Sequence, residues 1–137
     1  MPVVDASVVV DWVAPDVDPK GPARRLLDVW ARTGEVVSAP RLLMEEVANA
    51  LLTGVRRQRW DGAAADAGFD LLRTLPVALL DEPRDLGRAW ELSRRYDQHP
   101  VYDMVYVALA ERLGQTLVTA DEALLSRLRR LDFVRGL

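Results

Sequence analysis

The chain predicts an α/β fold: a mostly parallel sheet of four to five strands with helices on both faces. Three observations carry that expectation. Short β-branched runs alternate with longer stretches of helical periodicity, the pattern of strands joined by helical crossovers. Residues 101–110 are apolar or weakly polar apart from Asp103, which suits a helix inside a domain rather than on its surface. And 137 residues, half of them hydrophobic, suit a single core. The expected organisation is one domain over residues 1–137, without repeat or linker.

The elements follow in order. Pro2-Val3-Val4-Asp5 reads as a short buried strand ending in an acid, and Ser7 can cap a short helix over Val8 to Val13. Pro15 and Pro19 mark a loop. Gly21 to Thr33 fit an amphipathic helix with Ala23, Leu26, Leu27 and Trp30 on one face. Glu35 to Ser38 read as a second strand, and Pro40 suits a first helical position. The helix that follows runs to about Arg57, with Leu43, Val47, Ala50, Leu51 and Gly54 on its apolar face. Glu46 falls on the edge of that face, near Asn49 and Thr53, while Glu45 points to solvent. Asp61 can cap a helix from Gly62 to Leu75, Val77 to Leu80 form a third strand, and Arg84 to Tyr96 another helix. His99-Pro100 is a break before the buried helix, which Gly114 stops. Thr116 to Thr119 have strand character, Glu122 to Leu131 form a last helix, and Phe133-Val134 an edge strand.

Composition narrows the chemistry. There is no cysteine, and His99 is the one histidine, so thiolate sites and histidine-rich zinc sites are excluded. A metal here would be held mainly by oxygen, which favours Mg²⁺ or Mn²⁺. A net charge of −3 and a pI near 5.2 do not advertise nucleic-acid binding, although acids clustered on a cation mislead the total. Every basic residue except Lys20 is arginine, which grips phosphate bidentately. No apolar run reaches 18 residues and no leader-like segment precedes the first strand. The expectation is a cytoplasmic protein with no membrane partner.

Four acids follow or interrupt apolar runs: Asp5, Glu46, Asp103 and Asp121. Asp103 lies in a first helical turn, where free N–H groups favour a negative charge. Asp5 and Asp121 end strands, on the edge of an open sheet where ligands bind. Each has a plainer reading as well. Asp5 and Asp121 stand where helix caps stand, Glu46 can pair with an arginine, and Asp103 can simply complement the helix dipole. If the four converge, two of them about 4 Å apart repel by about 4 kcal/mol at an effective dielectric near 20. Such a cluster holds protons or binds a cation. Ser7 and Thr119 can then orient carboxylates from outside, and Asn49 can orient Glu46.

The segments VVDASVVV, APRLLMEEVANAL, YDMVYVALAERLG and LVTAD, in that order, resemble the PIN-domain ribonucleases, and among them the small VapC-type toxins of bacterial toxin–antitoxin pairs. The likeness spans essentially the whole chain. It implies a PIN-like three-layer fold and metal-dependent endonucleolytic cleavage of RNA at four acids. The first falls on Asp5 of D-x-S, with Ser7 as companion. The glutamate of E-x-x-N falls on Glu46, beside Asn49. The third falls on Asp103, and the fourth on Asp121 of T-x-D, with Thr119 as polar neighbour. Glu45 and Glu122 adjoin two of these and are alternative ligands; helical phase disfavours Glu45. The resemblance also implies Mg²⁺ or Mn²⁺, an RNA substrate, a homodimer and a cognate antitoxin. A PIN nuclease with a housekeeping role in RNA processing is a rival reading. A Mg²⁺-binding phosphoacceptor domain is another, weakened because Lys20 sits in an early loop rather than after a late strand. Arg56, Arg57 and Arg59, beside Trp60, can grip RNA or an acidic partner, or simply solvate a helix end. Asp11, Asp97 and His99 read as solvated or structural.

Overall fold

The computed structural model describes residues 1–137. In chain order the elements are β1 (Val3–Val4), α1 (Ala6–Val13), α2 (Pro22–Thr33), β2 (Val37–Pro40), α3 (Leu43–Arg56), α4 (Gly62–Leu72), β3 (Val77–Leu80), α5 (Pro83–Arg95), α6 (Val101–Leu113), β4 (Leu117–Thr119), α7 (Glu122–Arg127) and β5 (Val134–Gly136). The five strands form one wholly parallel sheet in the order β3-β2-β1-β4-β5. Helices cover both faces. On one, α1 packs with α2, α3 and α4; on the other, α6 lies over β1, β2 and β4 and is backed by α5.

The strand order positions the site. From β1 the chain builds outward through β2 and β3, then returns to β1's other side with β4 and β5. The reversal falls between β1 and β4, which are paired Val3 to Leu117 and Val4 to Val118. A crevice opens beyond the carboxyl ends of strands at such a point, because the following helices depart to opposite faces. Asp5 and Thr119 are the residues at that edge.

The core follows the apolar runs. Val3, Val4, Val8, Trp12, Leu43, Val47, Leu51, Tyr106, Leu109 and Leu117 are among its fully or almost fully buried members. Trp12 sits wholly inside and donates its indole N–H to the Ala23 carbonyl at 2.8 Å. Trp60 likewise satisfies its N–H on Leu51 O at 2.9 Å. Its ring lies so close to α3 that a Cβ at Gly54 would sit 2.0 Å from it, which is why only glycine fits there. Gly114 has φ +62° and ends α6 in the left-handed conformation foreseen for it.

Several boundaries differ from expectation. Pro40 does not open a helix: it is the last residue of β2, in register with Leu80. A proline is tolerated there because the pairing ends with it. The helix starts three residues later, with Glu45 and Glu46 in its first turn. The last helix stops at Arg127 rather than Leu131, and β5 covers Val134–Gly136 instead of Phe133-Val134. The helix from Gly62 ends at Leu72, three residues before the proline-adjacent limit set for it.

Candidate active site

Asp5 is the most deeply set of the four acids, 4% exposed. It occupies the cap position of α1, yet its side chain does not cap that helix. Its Oδ2 instead accepts from the Ser7 hydroxyl at 2.6 Å and the Thr119 hydroxyl at 2.9 Å. Each hydroxyl has one proton, and both are given to Asp5, so the 3.3 Å approach of Ser7 Oγ to Thr119 Oγ1 adds no further bond. The hydroxyls are aimed in turn by backbone donors: Ala120 N–H to Ser7 Oγ at 2.9 Å, and Asp121 N–H to Thr119 Oγ1 at 3.0 Å. The Ser7 backbone N–H also faces the Asp5 carboxyl and favours its charged form. Burial pushes the Asp5 carboxyl above the ordinary range; the two hydroxyls pull it back, and the charge of Asp103 adds to the rise.

Glu46 reaches the same region from α3. Burial raises its pKa first, the Tyr106 hydroxyl beside it opposes the rise, and the charges of Asp5 and Asp103 reinforce it. Glu46 Oε1 and the Tyr106 hydroxyl are nonetheless both buried without a completed hydrogen bond. Burial and the neighbouring Glu46 push the Tyr106 phenol upward in turn, so it stays protonated. Glu45, one residue back, is exposed and paired with Arg41 at 2.9 Å. Helical phase separates the two neighbouring glutamates as read from the sequence.

Asp103 stands in the first turn of α6, its side chain 27% exposed. Its Oδ2 lies 2.6 Å from His99 Nε2. A carboxylate oxygen accepts, so Nε2 carries the proton. From sequence, His99 reads only as structural or solvated. The spacing of four residues was visible, but Pro100 stands between them, so helical geometry did not imply contact. The chain is folded back by Asp97 and Gln98, both left-handed at φ 55° and 59°. Tyr106, one turn beyond Asp103, was likewise hidden inside an apolar run.

Asp121 is set differently. Its Oδ1 accepts from Leu124 N–H at 3.0 Å, so it caps α7. Its tie to the other acids runs through its own N–H to Thr119, and it lines a separate cleft with Asp11, Thr119 and Glu122. Glu122 is exposed. Asn49 is exposed too, and lines a cleft with Glu46 rather than bonding to it. Thus Asp5, Glu46 and Asp103 feel one another's charge, while Asp121 stands at their margin. No three Asp, Glu or His side chains close on a single point in this geometry. The donor set still fits a hard cation: the charge of Asp103 raises the proton affinity of Asp5 and Glu46, and one buried oxygen of Glu46 has no partner.

Fold and sequence agree on the class. The PIN domain model matches residues 3–131, and the chain belongs to the PIN-domain family. Within it, the chain is similar to Ribonuclease VapC3 of Mycobacterium tuberculosis, 38% identical over 122 residues, which span 89% of this chain and 83% of that protein. Among solved structures it resembles PAE2754 from Pyrobaculum aerophilum, with a TM-score of 0.69 at 26% identity over 98% of this chain and 87% of the other. It also resembles VapC20 of Mycobacterium tuberculosis, a toxin that cleaves the sarcin–ricin loop, with a TM-score of 0.68 over 92% and 94% of the two chains. At 22% identity the latter likeness speaks for the fold alone.

Proposed function

We propose that this chain is a metal-dependent endoribonuclease acting as the toxin of a type II toxin–antitoxin pair. The observation that supports the reading is that Glu46, with its Oε1 buried and unpartnered, lies within the field of both Asp5 and Asp103 beside the sheet's switch point. The similarity to a named VapC ribonuclease over most of both chains supports the substrate class.

Asp5, Glu46 and Asp103 would hold Mg²⁺ or Mn²⁺, with Asp121 contributing from the margin. A bound divalent cation supplies charge neutralisation at the phosphate and a more acidic water. Ser7 and Thr119 hold Asp5 in one orientation by donating to its Oδ2. His99 holds Asp103 by the same logic. Tyr106 keeps its proton beside Glu46 and favours that residue's charged form. Hydrolysis by water needs no 2′-hydroxyl nucleophile, so the products would carry a 3′-hydroxyl and a 5′-phosphate.

Protein partners are part of the reading. Leu52 and Phe69 are exposed on an apolar cleft between α3 and α4, and Leu86, Trp90 and Tyr102 are exposed on α5 and α6. Trp90 is 64% exposed, unusual for so large an apolar side chain. Two apolar surfaces suit an antitoxin and a second copy of the chain. No helix is long and apolar enough to cross a membrane, and the proposed setting is the cytoplasm.

The test is cleavage of total RNA by the purified chain with Mg²⁺ or Mn²⁺, with and without EDTA. Asp103→Asn is expected to lose at least about a hundredfold in rate, the scale on which even outer partners of a metal site matter. Cleavage that survives EDTA, or full activity in that variant, would overturn the reading.

A further inference from the structure

A cleft of about 320 Å³ opens on the α3 side of the acids and is lined by Glu46, Asn49, Thr53, Arg57 and Arg59, among others. Glu46, Asn49, Thr53 and Arg57 are spaced three, four and four apart, so they form one polar stripe along α3 and its C-cap. Arg57 stands eleven residues from Glu46, about 16 Å along the helix axis.

The three arginines at this helix end are not equivalent. Arg59 is committed: it pairs with Asp16 at 2.8 Å and lies over the Trp60 ring, 4.8 Å from its centroid. Arg56 is turned to the Thr53 hydroxyl at 2.9 Å. The Arg57 guanidinium has neither a carboxylate nor a hydrogen-bond partner, although its backbone is fixed by the bond from its N–H to Thr53 O at 2.9 Å. The turn beyond it is rigid, because Gln58 is left-handed at φ 59° and Trp60 is anchored against Gly54 and on Leu51 O. A fixed backbone therefore presents a free guanidinium in the cleft that also holds Glu46.

We infer that this cleft is an RNA-backbone subsite, in which Arg57 grips a phosphate flanking the scissile one and the Asn49 side chain contacts the intervening strand. The inference rests on the ribonuclease reading. A polyanion drawn over three acids in a chain of net charge −3 needs cationic contacts to either side of them. The continuity of the stripe from Glu46 favours a nucleic-acid strand over an acidic protein segment, since a strand occupying the acids must leave them along some such path. Arginine matches a phosphate's paired oxygens.

The test is fluorescence anisotropy of a labelled single-stranded RNA of about 20 nucleotides, titrated with the full chain in EDTA between about 50 and 200 mM salt. Arg57→Ala should bind several-fold more weakly and lose about 0.7 from the slope of log affinity against log salt, the share of one phosphate contact on a single strand. Arg57→Lys should keep the slope. Arg73→Ala, at an exposed arginine over Phe69 outside this cleft, should change neither. With Mg²⁺ or Mn²⁺ present, Arg57→Ala should raise KM and leave kcat in place. Unchanged binding and slope in Arg57→Ala, or an equal loss in Arg73→Ala, would overturn the subsite. So would a variant that binds RNA normally and loses only a labelled polyglutamate peptide. If the wild type binds RNA through Arg57 yet cleaves nothing with either metal, the subsite stands and the nuclease reading falls.

Discussion

Burial holds the Asp5 and Glu46 carboxyls above the ordinary carboxylate range, so the folded chain keeps protons there that the unfolded chain has released. Their contribution to stability is fully present below about pH 4, the unfolded value, and is lost as pH rises through the raised folded values. Glu46→Gln removes one such charge. Its melting temperature should match the wild type's at low pH and exceed it increasingly as pH rises toward neutrality. Mg²⁺ or Mn²⁺ should reverse the order by stabilising the wild type more, since a ligand bound only by the folded state raises its stability. Scanning calorimetry across pH, with and without metal, reads both effects. His99 gives a second test at this scale. His99→Ala frees Asp103 and should raise the Mg²⁺ concentration giving half-maximal cleavage roughly tenfold, with partial rescue in His99→Gln, whose amide can still donate.

At the scale of elements, the α3–α4 turn depends on one missing methyl. Gly54→Ala would drive a carbon into the Trp60 ring, and the cost should be about 2 kcal/mol or more, measured by denaturant unfolding. The same turn illustrates what the sequence could reveal. The apolar face containing Gly54 was legible from helical phase, and so were the helices ending near Arg57 and starting at Gly62 on either side of the turn. The return of Trp60 onto that face was not, because periodicity describes one helix and says nothing of what lies against it. Pro40 misled for a related reason: proline suits both a helix start and a strand end, and pairing with Leu80 decided between them. The acids were legible as residues stranded among apolar ones. Their unequal setting was not, because capping of α7 by Asp121 and clustering of the other three depend on how helices leave the sheet.

For the whole molecule, the parallel order makes the site a long-range construction. Asp5 and Thr119 are joined across 114 residues, through strands only two and three residues long. Neither strand can hold its position without the sheet and helices around it. Amides of Asp5 and Leu117, bonded to Val118 O and Phe133 O, should exchange hydrogen only through global opening. Their protection free energies should equal the stability from denaturant unfolding, and markedly faster exchange would reveal an independently fraying site. The other face is tied by paired side chains: Arg112 grips Asp85 at 2.7 and 3.0 Å, and Arg88 grips Glu111 at 2.7 and 2.8 Å, binding α5 to α6.

The hydroxyl of Thr119, donating to Asp5 while accepting from the next turn, has a temporal meaning. During translation Asp5 emerges 114 residues ahead of the hydroxyl that orients it. A fragment that ends before Thr119 lacks the bond that orients Asp5.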